Sequence, residues 1–196
     1  INLWSQSLKI GTVMINNFKI LLFLFGIFLF CSDEAEAQNN RMVQSKSYNL
    51  LLKNLLKHDV PEISIDNLNK IKNTVLLLDA RETAEFNVSH LKNAKYVGYK
   101  DFNIETLKNT DKHQPIVVYC SVGYRSEKIT EKLMNAGFTN VQNLYGGIFE
   151  WKNKKLDVYD ADGITNNVHP YNNIWGLWLK QANKVYKNPE LSTPKK

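Results

Sequence analysis

The chain has 196 residues, 43% of them hydrophobic and 22% charged, with a formal net charge of +6. These values suit one α/β domain with a full core plus additions at its ends, and no internal repeat or low-complexity tract divides it. The lysines are scattered rather than interleaved with aromatics, so there is no nucleic-acid footprint, and neither a phosphate-binding glycine-rich motif nor a His/Cys metal constellation occurs.

The sequence opens on Ile1 rather than Met, so either it is a piece of a longer chain or its start lies at Met14, leaving residues 1–13 as a doubtful upstream segment. From Met14 the pattern is a basic start at Lys19, an apolar run from Ile20 to Cys31, and a small-x-small site at Ala35 and Ala37. Residues 14–37 therefore read as a secretory signal peptide cut after Ala37, because the apolar run is shorter than the roughly 20 residues a bilayer span needs. The expected location is outside the inner membrane, in the periplasm, with the export signal as the sole membrane contact. Lipid attachment at Cys31 is the alternative, and Phe30 argues against it because such sites carry a small residue there. After cleavage Cys120 is the one remaining cysteine, so an exported chain has no internal disulfide and its thiol is inert, dimer-forming or reactive.

Residues 38–59 form a polar leader and a predicted helix from Ser45 to Lys57, with a stripe of Leu51, Leu52, Leu55 and Leu56 that needs a partner surface. The domain proper is expected over residues 60–158. Pro61 interrupts the chain, Glu62 to Ile65 suits a short strand, and Asp66 to Lys72 a helix capped by Ser64. Thr74 to Asp79 reads as a strand buried inside a parallel sheet. Lys95 to Val97 is a shorter strand, and Asp101 to Asn109 a loop with a helical turn in which Phe102 and Ile104 either wall the pocket or, as the preferred reading, pack in the core. His90 is expected to pack and hydrogen-bond rather than act as a base.

Ile116-Val117-Val118-Tyr119 has the composition of a strand covered on both faces, and a helical pattern follows in which Ile129, Leu133 and Ala136 share one side. Between them lies Cys120-Ser121-Val122-Gly123-Tyr124-Arg125, a loop that begins in a thiol and ends in a guanidinium. A loop between the carboxyl end of a parallel strand and a helix start collects inward-pointing backbone N–H groups. Gly123 lets the loop curl so that several amides converge on the sulfur, and Arg125 adds a full positive charge. Together these favour thiolate over thiol and point to a nucleophile. Gly137 stops the helix, Val141 to Leu144 is the last strand, and Gly146-Gly147 opens a helix whose Phe149 and Trp151 are core residues. Residues 159–196 form an extension: a turn at Asp160 to Gly163, a helix from Tyr171 to Tyr186 with Ile174, Trp175, Trp178 and Leu179 along one side, and a polar tail. The tryptophan-bearing helix either packs on the domain or meets a partner protein.

On these residues the chain resembles the rhodanese-like (sulfurtransferase) family. Cys120, Arg125 and Ser126 match its active loop, and Val75 to Arg81 its strand followed by Asp-x-Arg. Glu85-Phe86 precede Ser89-His90-Leu91-Lys92-Asn93-Ala94, where the family has Gly-His-Ile-Pro-Gly-Ala, and Gly146 to Trp151 matches its Gly-Gly-x-x-x-Trp. The resemblance implies an open parallel sheet with helices on both faces. It implies Cys120 as the persulfide-forming nucleophile and Ser121, Val122, Gly123, Tyr124 and Arg125 as the loop that holds the substrate. Asp79 and Arg81 would brace the floor of the site, with Ser126 supporting the helix start. It implies no metal and no organic cofactor, a small anionic sulfur donor, and a thiol or cyanide acceptor. Ser121 stands where several thiosulfate-using members carry a second basic residue, so a dianionic donor should be held less tightly. Phosphatases of the same fold place five residues between Cys and Arg, and four stand here.

Overall fold

The structure is a computed structural model that describes residues 42–186. The upstream segment, the signal at 14–37 with Cys31, the start of the polar leader and the whole polar tail lie outside the described residues.

Helix α1 (Lys46–Leu55) begins at Ser45, whose side chain accepts from the Tyr48 N–H, and it buries Tyr48 and Leu52. After strand β1 (Glu62–Ile63), Ser64 caps helix α2 (Ile65–Ile71) in the same way by accepting from the Asn67 N–H. Strand β2 (Leu76–Asp79) leads to helix α3 (Thr83–Val88), which opens with a reciprocal capping box between Glu82 and Glu85. Strand β3 (Lys95–Tyr96), a 3₁₀ turn (Ile104–Leu107), strand β4 (Ile116–Tyr119) and helix α4 (Tyr124–Asn135) follow. Strand β5 (Val141–Leu144) and helix α5 (Gly147–Asn153) complete the α/β part.

The five strands form one parallel sheet in the order β1-β5-β4-β2-β3. Alternation along β4 divides its side chains between two cores. Val117 and Tyr119 join Leu52, Leu68 and Phe149 on one face, beneath α1, α2 and α5. Ile116, Val118 and Cys120 join Ile129 and Leu133 of α4 on the other. The sheet is thus covered on both faces, which is why β4 is apolar at every position. α1 fills the place its leucine stripe called for, with Leu52 fully buried.

Beyond α5 the structure departs from the predicted helix. Strands β6 (Val158–Asp160) and β7 (Gly163–Thr165) form an antiparallel hairpin around the expected turn, and β8 (Asn167–Val168) pairs in parallel with β9 (Asn183–Lys184). The stretch predicted as a helix from Tyr171 to Tyr186 holds instead a single 3₁₀ turn, Trp175–Trp178. The left-handed backbone of Tyr171 (φ +65°) is incompatible with a first helical turn there, and a pairing made by Asn183 and Lys184 cannot be made by helical residues. The tryptophans are half-buried: Trp178 stacks on Tyr48 at 5.3 Å, and its carbonyl accepts from Asn153 Nδ2 at 2.9 Å. Ile174 and Leu177, by contrast, face solvent. Among the described residues no helix is long and apolar enough to cross a membrane.

Candidate active site

Cys120 follows the last residue of β4, at the carboxyl edge of the sheet, and Gly123 stands immediately before α4. Gly123 adopts φ +117°, a conformation that a side chain would strain. The turn directs its N–H onto Cys120 Sγ at 3.2 Å. Among the described residues this is the one hydrogen bond to the sulfur, in place of the converging set of amides expected from the sequence. The partial positive charge of the twelve-residue α4 adds to it. The Gly123 carbonyl is fixed in turn by Asn143 Nδ2 at 3.1 Å, and Ser126 Oγ, 2.7 Å from Asn143 Oδ1, ties the first turn of α4 to β5. A second glycine lets the loop sit where it does. Gly147, with φ +56°, brings the start of α5 so close that an added Cβ would lie 2.7 Å from the Ser121 carbonyl oxygen.

Arg125 reaches back along the loop, but its guanidinium is engaged by a residue the sequence did not mark as its partner. Nη1 donates to Glu85 Oε2 at 2.7 Å and Nη2 to Glu85 Oε1 at 2.8 Å, a two-pronged ion pair. Ser121 Oγ joins it, 2.8 Å from Glu85 Oε1 and 2.9 Å from Arg125 Nη2. Burial alone would raise the Glu85 pKa, but the Arg125 hydrogen bonds and charge, with help from Arg81, lower it to about 2. Burial likewise works against the Arg125 charge, and the bonds to Glu85 together with the negative potential of Cys120 and Glu85 push its pKa up instead. Glu85 and Arg125 are 40 residues apart in the chain, and the sequence marked Glu85 through its place in the family resemblance and not as a partner of the loop.

Asp79 and Arg81 form a fully buried pair, with Nη2 2.7 Å from Oδ2 and a further bond from Nη2 to the Ser89 carbonyl at 2.6 Å. They clamp the end of β2 to the loop that precedes His90. His90 stacks on Phe86 at 4.2 Å and lies 3.2 Å from the Phe86 carbonyl, away from the sulfur chemistry. Trp151 is buried and its indole N–H donates to the Asp157 carbonyl at 2.9 Å.

Cys120 itself is 1% exposed and lines a cavity of about 290 Å³. Ser121, Val122, Tyr124 and Arg125 of the predicted loop share that cavity. Its other walls come from Glu82, Tyr99 and Lys100, and from Tyr171 and Trp175 of the C-terminal segment. Those last two were expected on a packing or partner-binding helix and not beside the thiol. Phe102 and Ile104 lie elsewhere, against the smaller core.

The family profile described as Rhodanese-like domain matches residues 64–154. Thiosulfate sulfurtransferase GlpE of Coxiella burnetii is 30% identical over 81 residues, which cover 41% of this chain and 75% of that protein. The chain belongs to the rhodanese-like family. A second relative, adenylyltransferase and sulfurtransferase UBA4 of Meyerozyma guilliermondii, is 34% identical over 107 residues, half of this chain but a quarter of the relative's own length. Among solved structures, the BH2092 protein from Bacillus halodurans aligns over 60% of this chain and 87% of its own with a TM-score of 0.49 and 23% identity. The rhodanese-like match ends at residue 154, so Tyr171 and Trp175 lie outside it.

Proposed function

We propose that this chain is a sulfurtransferase that carries a sulfane sulfur on Cys120, from thiosulfate or a persulfide donor to a thiol or cyanide. One observation supports this most: the sulfur of Cys120 ends a buried strand, accepts the Gly123 N–H at 3.2 Å, and borders a cavity that also holds Arg125 and Lys100. In the first step the Cys120 thiolate attacks the outer sulfur of the donor. A bond forms from Sγ to that sulfur as the donor's S–S bond breaks, and its electron pair leaves with sulfite or with a thiolate. The terminal sulfur of the resulting persulfide then carries the negative charge beside the positive start of α4, while the Gly123 amide keeps its hydrogen bond to Sγ and favours that atom's return to thiolate. In the second step a thiolate or cyanide attacks the outer sulfur, and the Cys120 thiolate is returned.

Asp79, Arg81 and Ser126 do not line the cavity. They hold the strand end and the helix turn between which the loop is stretched. Export through the 14–37 segment is part of the same proposal and rests on the sequence pattern there. A persulfide carrier serving one partner protein is the second reading, and the exposed Ile174 and Leu177 beside the cavity wall favour it. Replacing Cys120→Ser tests the main reading: transfer from thiosulfate to cyanide should fall to the uncatalysed rate, and retention of wild-type turnover would refute it.

A further inference from the structure

The cavity at Cys120 is nearly neutral and largely aromatic. Its cations are Arg125 and Lys100. Against them stand Glu85, bridging Arg125, and Glu82, whose Oε1 lies 3.9 Å from Arg125 Nη1. Two positive and two negative charges leave no surplus for an inorganic dianion. Tyr99, Tyr124, Tyr171 and Trp175 supply aromatic surface around the opening.

Tyr171 holds its place through a costly backbone. At φ +65° it occupies the left-handed region, unusual for a bulky side chain. The conformation is secured by its own N–H, which donates to His169 Nδ1 at 3.0 Å, while His169 Nε2 lies 3.2 Å from the Tyr186 carbonyl. Burial lowers the His169 pKa, which agrees with a neutral ring accepting at Nδ1. The result is that the Tyr171 ring lies over the Arg125 guanidinium, 4.9 Å from centroid to carbon. The segment that carries it is fastened at several points: Ser89 Oγ donates to the Asn167 carbonyl at 2.6 Å, Trp178 stacks on Tyr48, and Lys180 N–H donates to Asn153 Oδ1 at 2.7 Å. With one edge of Arg125 bound to Glu85 and a face covered by Tyr171, little of its charge is left for a ligand.

We propose that Tyr171 and Trp175, contributed from outside the family match, are specificity-determining residues that select singly charged sulfur donors with an apolar body over small inorganic dianions. The inference rests on the sulfur-transfer reading of Cys120. It adds a surface that the rhodanese-like part does not contain.

Three donors with the same sulfane chemistry separate charge from apolar contact: thiosulfate, methanethiosulfonate and benzenethiosulfonate. Each transfers its outer sulfur to Cys120 and releases sulfite, methanesulfinate or benzenesulfinate, so the loading rate can be followed by intact mass without an acceptor. The full chain should load fastest from benzenethiosulfonate and slowest from thiosulfate. In Tyr171→Ala and in Trp175→Ala the preference for benzenethiosulfonate over methanethiosulfonate should fall by roughly tenfold, the size expected for a lost aromatic contact. Tyr171→Phe, which keeps the ring, should restore the wild-type preference. Tyr171 is exposed, so Tyr171→Ala decides the matter if Trp175→Ala does not fold. Loading at wild-type preference in Tyr171→Ala, or a wild type that favours thiosulfate, would overturn the inference and leave sulfur transfer standing. Loading from none of the three would overturn both.

Discussion

Replacing Glu85→Gln keeps the side chain's shape and removes its charge, which tests what the carboxylate does for Arg125, its main partner, with smaller contributions from Arg81 and the Glu82 N–H. Glu85 is buried and makes two short bonds to a guanidinium whose side chain is 12% exposed. Its pKa falls from the ordinary 4.5 to about 2, and such a shift corresponds to about 3 kcal/mol of native-state stabilisation at neutral pH. The loss in Glu85→Gln should be of that order, because the variant also leaves Arg125 partly buried beside a neutral partner. For a chain of this size it would appear as a drop in Tm of roughly 2–4 °C per kcal/mol. The pH dependence carries the sharper signature. The unfolded carboxylate binds its proton near pH 4.5 and the folded one near pH 2, so between these values the unfolded state holds more protons. The stabilisation is therefore complete above pH 4.5 and is lost as pH falls towards 2. Urea unfolding at several pH values should show this slope in the wild type and its reduction in Glu85→Gln. A variant within about 1 kcal/mol of wild type at pH 7, with the same acid slope, would refute the claim that Glu85 and Arg125 form a stabilising pair.

Other perturbations probe the frame around the sulfur. Arg81→Ala leaves Asp79 as a buried, uncompensated carboxylate and should cost about 3–5 kcal/mol, measured by urea unfolding; a loss under 1 kcal/mol would show that water or a rearranged neighbour replaces the guanidinium. Gly147→Ala places a methyl group against the Cys120 and Ser121 carbonyls in a strained backbone, so sulfur loading should slow more than tenfold even where a cooperative thermal transition is retained. Unchanged loading in that variant would mean that the loop position does not govern the chemistry.

How much of this could be seen in the residues themselves varies along the chain. The β4, loop and α4 region could be read directly, because a fully covered strand is apolar at every position and Gly123 with a nearby helix start marks the junction. The caps at Ser45 and Ser64 are equally local, each accepting from an N–H three residues on. The Arg125 partnership could not be found that way, since the carboxylate that takes its charge comes from the other side of a crossover. The C-terminal segment misled for a related reason. Ile174, Trp175 and Trp178 have helical spacing, but their conformation is set by the pairing of β8 with β9 and by the docking of Trp178 on Tyr48, 130 residues earlier. Tertiary contacts of that range override local periodicity, and the same override brought Tyr171 to the thiol.

The account stands on Cys120 taking up sulfur as a covalent intermediate. Peptide-resolved mass spectrometry after brief exposure to thiosulfate or a thiosulfonate, without acceptor, tests it most directly. The peptide carrying Cys120 should gain the mass of one sulfur atom, release it on addition of cyanide, and show neither event in Cys120→Ser. An unmodified Cys120 peptide during active turnover, or sulfur carried on any other residue, would contradict the account.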